Sequence, residues 1–260
     1  MAPAGADNDR RMSRRYVDVV PLLFGALVSL THHRRADAQP AFVPPAGPAV
    51  RPVLLFGVGL DPAVAAYVRY LRPLAGADAR AGVVFGGGLK VPTTVLSHRA
   101  VRVELSGATY RVRADGWAAS GEASAFLANE HNAAGTMRGI GIELRGTGGR
   151  RSAKTFIGLD AGWQAALATH IAHGPAARAA FRDRYPDGVA DDAQPRDGWY
   201  RVPAQRFRIG GVLDRRLGRR GGAMRLALGG MFIRQKQGQL FAFDLGQVPF
   251  YLEPSIQVPW

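Results

Sequence analysis

The sequence predicts an all-β chain: a single antiparallel up-and-down transmembrane β-barrel of about ten strands, within a range of roughly eight to twelve. Three observations predict it. Apolar and polar-or-small residues alternate with period two along much of the chain. Strands show that pattern where one face meets lipid and the other lines an interior. Apolar residues make up 47% of the 260, yet mean hydropathy is only −0.07, so the long apolar runs of helical spans are missing. Finally, the connections between alternating segments sort by length onto two opposite sides.

In chain order, the first element is a targeting segment. Arg10, Arg11, Arg14 and Arg15 precede the apolar run Val17 to Leu30, and Ala36-Asp37-Ala38 gives a small-x-small cleavage pattern. The run contains Asp18 and Pro21 and falls short of the ~20 apolar residues of a spanning helix. Residues 1–38 are therefore expected to be a signal peptide for the general secretory route. The basic cluster His32 to Arg35 before the cleavage site is unusual for such a signal. Residues 39–52 hold Pro40, Pro44, Pro45, Pro48 and Pro52 and read as an extended linker. The barrel domain is expected over 53–260.

The first alternating segments, 53–60, 64–71 and 81–91, carry the pattern weakly. Val101, Val103 and Leu105 then alternate with Arg102 and Glu104, and a further weak segment covers 116–127. Ile140, Ile142 and Leu144 alternate with Gly141, Glu143 and Arg145. In 154–171, Ile157, Leu159, Ala161, Trp163, Ala165, Leu167 and Ile171 share one face, and Gly158, Asp160, Gly162, Gln164 and His170 the other. A helix over 163–181 competes, but the alternation starts before Trp163, and Gly158 and Gly162 weaken a helix. Phe207, Ile209 and Leu213 oppose Arg206 and Arg208; Met224, Leu226, Leu228 and Phe232 oppose Arg225. At the end, Phe250, Leu252, Pro254, Ile256, Val258 and Trp260 oppose Tyr251, Glu253, Ser255 and Gln257.

An even strand count puts both chain ends on one side, which would be periplasmic. The connections on that side would be 72–80, 114–115, 146–153 and 214–221. The outer set would be 61–63, 92–98, 128–135, 172–200 and 234–248, and it holds the two longest. Trp117 and Trp260 would sit at the inner interface, and Trp199, Tyr200, Phe250 and Tyr251 at the outer one.

Over 53–260 the chain resembles the bacterial outer-membrane β-barrel class. The closing segment Phe250 to Trp260, alternating and ending on an aromatic residue, carries the resemblance most specifically. It implies an outer-membrane location and recognition of Tyr251, Leu252, Ile256, Val258 and Trp260 by the barrel-assembly machinery. Pro254 and Pro259 depart from the pattern, since each removes a ladder donor.

The formal net charge is +14, and about +12 remains without residues 1–38. The basic residues are spread along the chain, which suits charges solvated on polar surfaces as much as an anionic partner; the partners expected are outer-membrane lipids and lipopolysaccharide, with no nucleic acid. The absence of cysteine excludes disulfides and thiolate sites. Gly86-Gly87-Gly88 lacks the Lys-Ser/Thr of a phosphate loop, and His170 and His173, three apart on a strand, would face opposite ways. No cofactor or metal is expected. Arg102, Glu104, Arg138, Glu143, Arg145, Asp160, His170, Arg206, Arg208 and Arg225 are expected to face inward and pair, which suits a structural, interaction or narrow-channel role rather than a general porin. Two alternatives stand beside this reading. One is a membrane-embedded lipid hydrolase or acyl-transfer enzyme: Glu130-His131-Asn132 is similar to the His-Ser-Asn stretch of lipid A deacylase barrels but lacks its serine. The other is a soluble secreted basic β-protein binding an anionic partner.

Overall fold

A computed structural model describes residues 51–60, 64–92, 101–132, 135–187, 196–202, 204–217, 222–235 and 250–260. The proposed signal peptide and nearly all of the linker lie outside them. The strands are β1 (Val53–Leu60), β2 (Val64–Pro73), β3 (Ala81–Pro92), β4 (Val101–Val112), β5 (Trp117–Asn132), β6 (Gly135–Arg151), β7 (Thr155–His173), β8 (Gly198–Arg201), β9 (Ala204–Leu217), β10 (Gly222–Gln235) and β11 (Phe250–Pro259). One helix, α1 (Pro175–Arg184), lies between β7 and β8.

Every barrel strand pairs antiparallel with the next, and β1 pairs with β11, so the sheet closes on itself. The short β8 runs beside the end of β7, where β9 takes over the pairing. Ten strands, β1 to β7 and β9 to β11, therefore make a closed up-and-down barrel, as the sequence predicts. Closure satisfies the backbone groups that an open sheet would leave along its edges.

The alternation explains the wall. Leu105, Leu127, Ile157, Leu159, Ile209 and Phe232 are each more than 60% exposed on the outside, whereas Asp160 and Glu253 on the inside are 0% exposed. A water-soluble fold distributes these residue types the other way round.

The first barrel strand begins and the last one finishes at the same end of the barrel, where Val53 pairs with Pro259 and the Trp260 N–H donates to the Pro52 carbonyl. The connections there are tight. Asp78 accepts the backbone N–H groups of Ala81 and Arg80, which hold its carboxyl below the usual carboxylate range. Gly116, with a φ of 87°, allows the turn from β4 to β5 that a side chain would strain. The connection expected over 146–153 shrinks to 152–154, because β6 continues to Arg151. At the far end β5 and β6 run on to Asn132 and from Gly135, so the connection expected over 128–135 is mostly strand. The expected 172–200 loop contains the end of β7, α1 and β8.

The interior is layered. Nearest the chain ends, Leu55, Leu71, Val84, Ala108 and Tyr110 pack into one apolar cluster; Ala118, Phe156, Val212, Ala227 and Tyr251 form another, next to the buried Arg225 and Asp214. Large rings fit because glycines face them. A Cβ at Gly57 would collide with the Tyr67 hydroxyl, and one at Gly141 would collide with Phe126. Beyond these clusters the interior turns charged.

Candidate functional site

The charged layer is a continuous chain of opposite signs drawn from seven strands. It starts at Glu122 of β5, which pairs with Arg69 of β2. The Arg69 guanidinium also lies 3.2 Å from Glu104 and donates to Ser106 at 2.7 Å. Glu104 reaches Arg102 on its own strand at 3.4 Å, and Arg102 donates to Glu143 of β6 at 2.6 Å. Glu143 meets Arg145 at 3.1 Å, and Arg145 meets Glu253 of β11 at 3.5 Å. Arg208 of β9 then grips Glu253 at 2.6 and 2.9 Å and Asp160 of β7 at 2.5 and 3.1 Å. Tyr251 donates to the same Asp160 oxygen at 3.2 Å, with the Arg208 guanidinium 3.9 Å over its ring. A separate pair joins Arg225 of β10 to Asp214 of β9 at 3.1 Å.

Five of these links join strands that are not neighbours: Arg69 to Glu104 and to Glu122, Arg102 to Glu143, Arg145 to Glu253, and Arg208 to Glu253. Arg145 to Glu253 reaches furthest, with three strands between them. Seven basic and six acidic side chains are buried among the described residues, so the interior is close to electrically balanced. Balance matters because a buried charge that loses its partner costs several kcal/mol.

Among the sequence-expected inward residues, Arg102, Glu104, Glu143, Arg145, Asp160 and Arg208 come together in this chain, Arg225 sits in its own pair, and Arg206 is buried on β9. Two do not fit. His170 was expected on the same inward face as Asp160. The β6–β7 register shifts between Ile140 and Gly141, leaving Leu167 as the extra residue and reversing the faces beyond it. Thr169, Ile171 and His173 therefore turn inward, and His170 turns out, edge-on to exposed Trp199 with centroids 5.4 Å apart. Arg138 shares the parity of Ile140 and Leu144; it is exposed and donates to Asn129 at 3.0 Å.

Sequence reasoning missed Arg69, Lys90, Glu122 and Asp214, all buried. The first three lie on strands whose alternation is weak. Glu253 was legible, since it shares its face with Tyr251 and Ser255. Tyr251 faces inward and takes no part in the outer aromatic level.

A second polar cluster caps the far end. His173 is buried, and its backbone N–H and ring Nδ1 both lie against one oxygen of Asp197, at 2.8 and 3.0 Å. Arg178 of α1 donates to the other Asp197 oxygen at 2.5 Å and to the His173 carbonyl at 3.2 Å. Partial desolvation would raise the Asp197 pKa, but the His173 hydrogen bonds and the Arg178 charge hold it below the usual range. This cluster ties α1 to the end of β7. His131 contacts the Thr136 hydroxyl at 2.7 Å on an exposed hairpin, with no triad-like arrangement among the described residues. Nor do those residues include a cluster of metal-ligating side chains.

No protein-family model matches the chain, and no curated protein matches it. Among solved structures, the chain is similar to the beta domain of the Bordetella autotransporter BrkA, with 11% identity and a TM-score of 0.31. The match covers 80% of this chain and 98% of that one.

Proposed function

We propose that this protein is an integral outer-membrane β-barrel with a structural or interaction role, whose interior is closed to general solute flow. The observation that carries the reading is the inverted polarity of the wall, with Leu159 and Ile209 outside and Asp160 and Glu253 inside. An exposed belt of large apolar side chains is stable against hydrocarbon and costly against water. The closed interior rests on the apolar clusters near the chain ends and on the ion pairs across the middle.

The same proposal takes lipopolysaccharide and outer-membrane lipids as surroundings. It takes Tyr251, Leu252, Ile256, Val258 and Trp260 as the segment read by the barrel-assembly machinery. Fractionation with a heat-modifiability gel tests the location. A folded barrel stays with detergent-extracted outer membrane and migrates differently before and after boiling. Recovery in the aqueous fraction with no mobility shift overturns it. A planar-bilayer recording tests the closed interior, for which no steady porin-sized conductance is expected.

A further inference from the structure

Among the described residues, positive charge is plentiful outside the buried layer, in which basic and acidic side chains number seven and six. At the end carrying the chain termini it is ordered. Four strands run towards that end and are followed by another strand: β2, β4, β6 and β9. Each places an exposed arginine on the outer face one or two residues before its last: Arg72, Arg111, Arg150 and Arg215. Arg72, Arg111 and Arg215 have no carboxylate at ion-pair distance among the described residues. Arg150 lies over the Trp117 ring at 5.8 Å. Trp117 opposes Arg150 on β6, and on its other side Arg111 opposes Ala119, two residues along the same face. Lys154 and Arg80, in the adjoining turns, are exposed too. Among the described residues of these connections, the carboxylate ion pair is Arg113 with Asp115, at 3.0 Å.

We infer that Arg72, Arg111, Arg150 and Arg215 form a collar that binds the phosphates of anionic phospholipids in the leaflet facing the chain termini. The inference rests on the membrane-spanning reading above. The chemistry fits in three ways. The guanidinium is planar and pairs with phosphate through two parallel hydrogen bonds. Arg111 and Arg150 stand beyond the last exposed large apolar residues of their strands, Leu105 and Leu144, whereas Arg72 and Arg215 are each followed by one exposed leucine, Leu74 and Leu217, a span that a phospholipid headgroup region covers. Trp117 and Trp260, 48% and 76% exposed, mark the same level, which amphipathic rings prefer. The collar surrounds the barrel and does not form a pocket, so it selects a charge class of lipid and not one molecule.

The test uses the full chain with Trp163→Phe, Trp199→Phe and Trp260→Phe, leaving Trp117 as the reporter. It is refolded into phosphatidylcholine vesicles carrying a minor fraction of brominated phosphatidylglycerol or, separately, brominated phosphatidylcholine. The glycerol lipid is expected to quench Trp117 as though enriched about fivefold around it, in line with the usual attraction of a basic side chain to an anionic surface. Arg111→Gln with Arg150→Gln should bring the two lipids to equal quenching while the folded gel mobility is retained. Equal quenching before substitution, or a preference that survives it, overturns the collar and leaves the barrel reading intact. Quenching by neither lipid overturns both. A preference removed by inorganic phosphate, but not by chloride at equal ionic strength, assigns the collar to free phosphate and overturns the lipid assignment.

Discussion

The wall formed by β5, β6 and β7 is about twice the height of the wall formed by β1, β2 and β11. The tall strands have 16, 17 and 19 residues, and the low ones have 8, 10 and 10. At about 3.3 Å per residue and a tilt of roughly 40°, β1 rises about 20 Å and β7 about 48 Å, against an apolar band of about 25 Å. The low wall is thus no taller than such a band. The tall wall matches it up to Leu127, Ile140 and Leu167 and then changes character. Above that level Arg138, His170 and His131 replace the apolar side chains, the register shifts, and α1 is tied down. In the membrane-spanning arrangement proposed above, outward side chains on the low wall answer to lipid alone, whereas the top of the tall wall is free to carry polar contacts.

If the low wall depends on its interior, the largest effect comes from Glu253 of β11. Glu253→Leu strips the carboxylate from Arg208 and Arg145 together and should cost about 3–5 kcal/mol in urea unfolding. A loss under about 1 kcal/mol would mean that the chain of charges re-pairs freely and the comparison fails. Glycine substitutions contrast the walls at smaller amplitude. Gly57→Ala on β1 would press a Cβ onto Tyr67 and the Pro254 carbonyl, at a cost of about 1–3 kcal/mol. Gly148→Ala on β6 meets nothing within 4 Å and should change stability by less than about 0.5 kcal/mol. Equal effects would erase the distinction.

Two smaller effects sharpen it. The β1–β11 ladder passes from Gly57↔Ser255 to Leu60↔Leu252 and skips Val58 and Gly59, opposite proline at 254. Pro254→Val restores a backbone donor there and should stabilise the barrel by about 1 kcal/mol. The smallest effect belongs to the top of the tall wall. Asp197 has its folded pKa depressed, so its contribution is present above the ordinary carboxylate value of about 3.9 and is lost as pH falls through the depressed value. It is partly exposed, which limits that contribution to about 0.5 kcal/mol or less. Acidification should therefore speed proteolysis near α1 while the heat-modifiable mobility of the barrel persists.

How much of this was legible follows the same division. On β11, β9, β10 and the lower part of β7, period-two alternation gave the inward and outward faces residue by residue, including the opposition of Ile209 to Arg208. It failed above Trp163 on β7, because a bulge is set by how neighbouring strands fit and leaves no mark in the alternation of one strand. Val202, with a φ of 43°, lies beside that bulge and donates its N–H to the Leu167 carbonyl, and a β-branched residue in that conformation is not readable beforehand. On β2, β3 and β5 the weak signal has a physical source. Runs such as Gly86-Gly87-Gly88 and Ala118-Ala119 put small side chains on both faces, so Arg69, Lys90 and Glu122 stood without a clear opposite face. The pairing partners needed three dimensions, since Arg145 and Glu253 are 108 positions apart.

Glu253 belongs to the barrel strand that comes last in chain order, and its two arginine partners wait on strands made earlier. Until β11 docks, those guanidiniums lack their shared anion; a docking error of one residue would swing Glu253 into hydrocarbon and Leu252 into the charged interior. The final carboxylate thus acts as a proofreader of closure, rewarding the single alignment in which the barrel's two ends meet correctly.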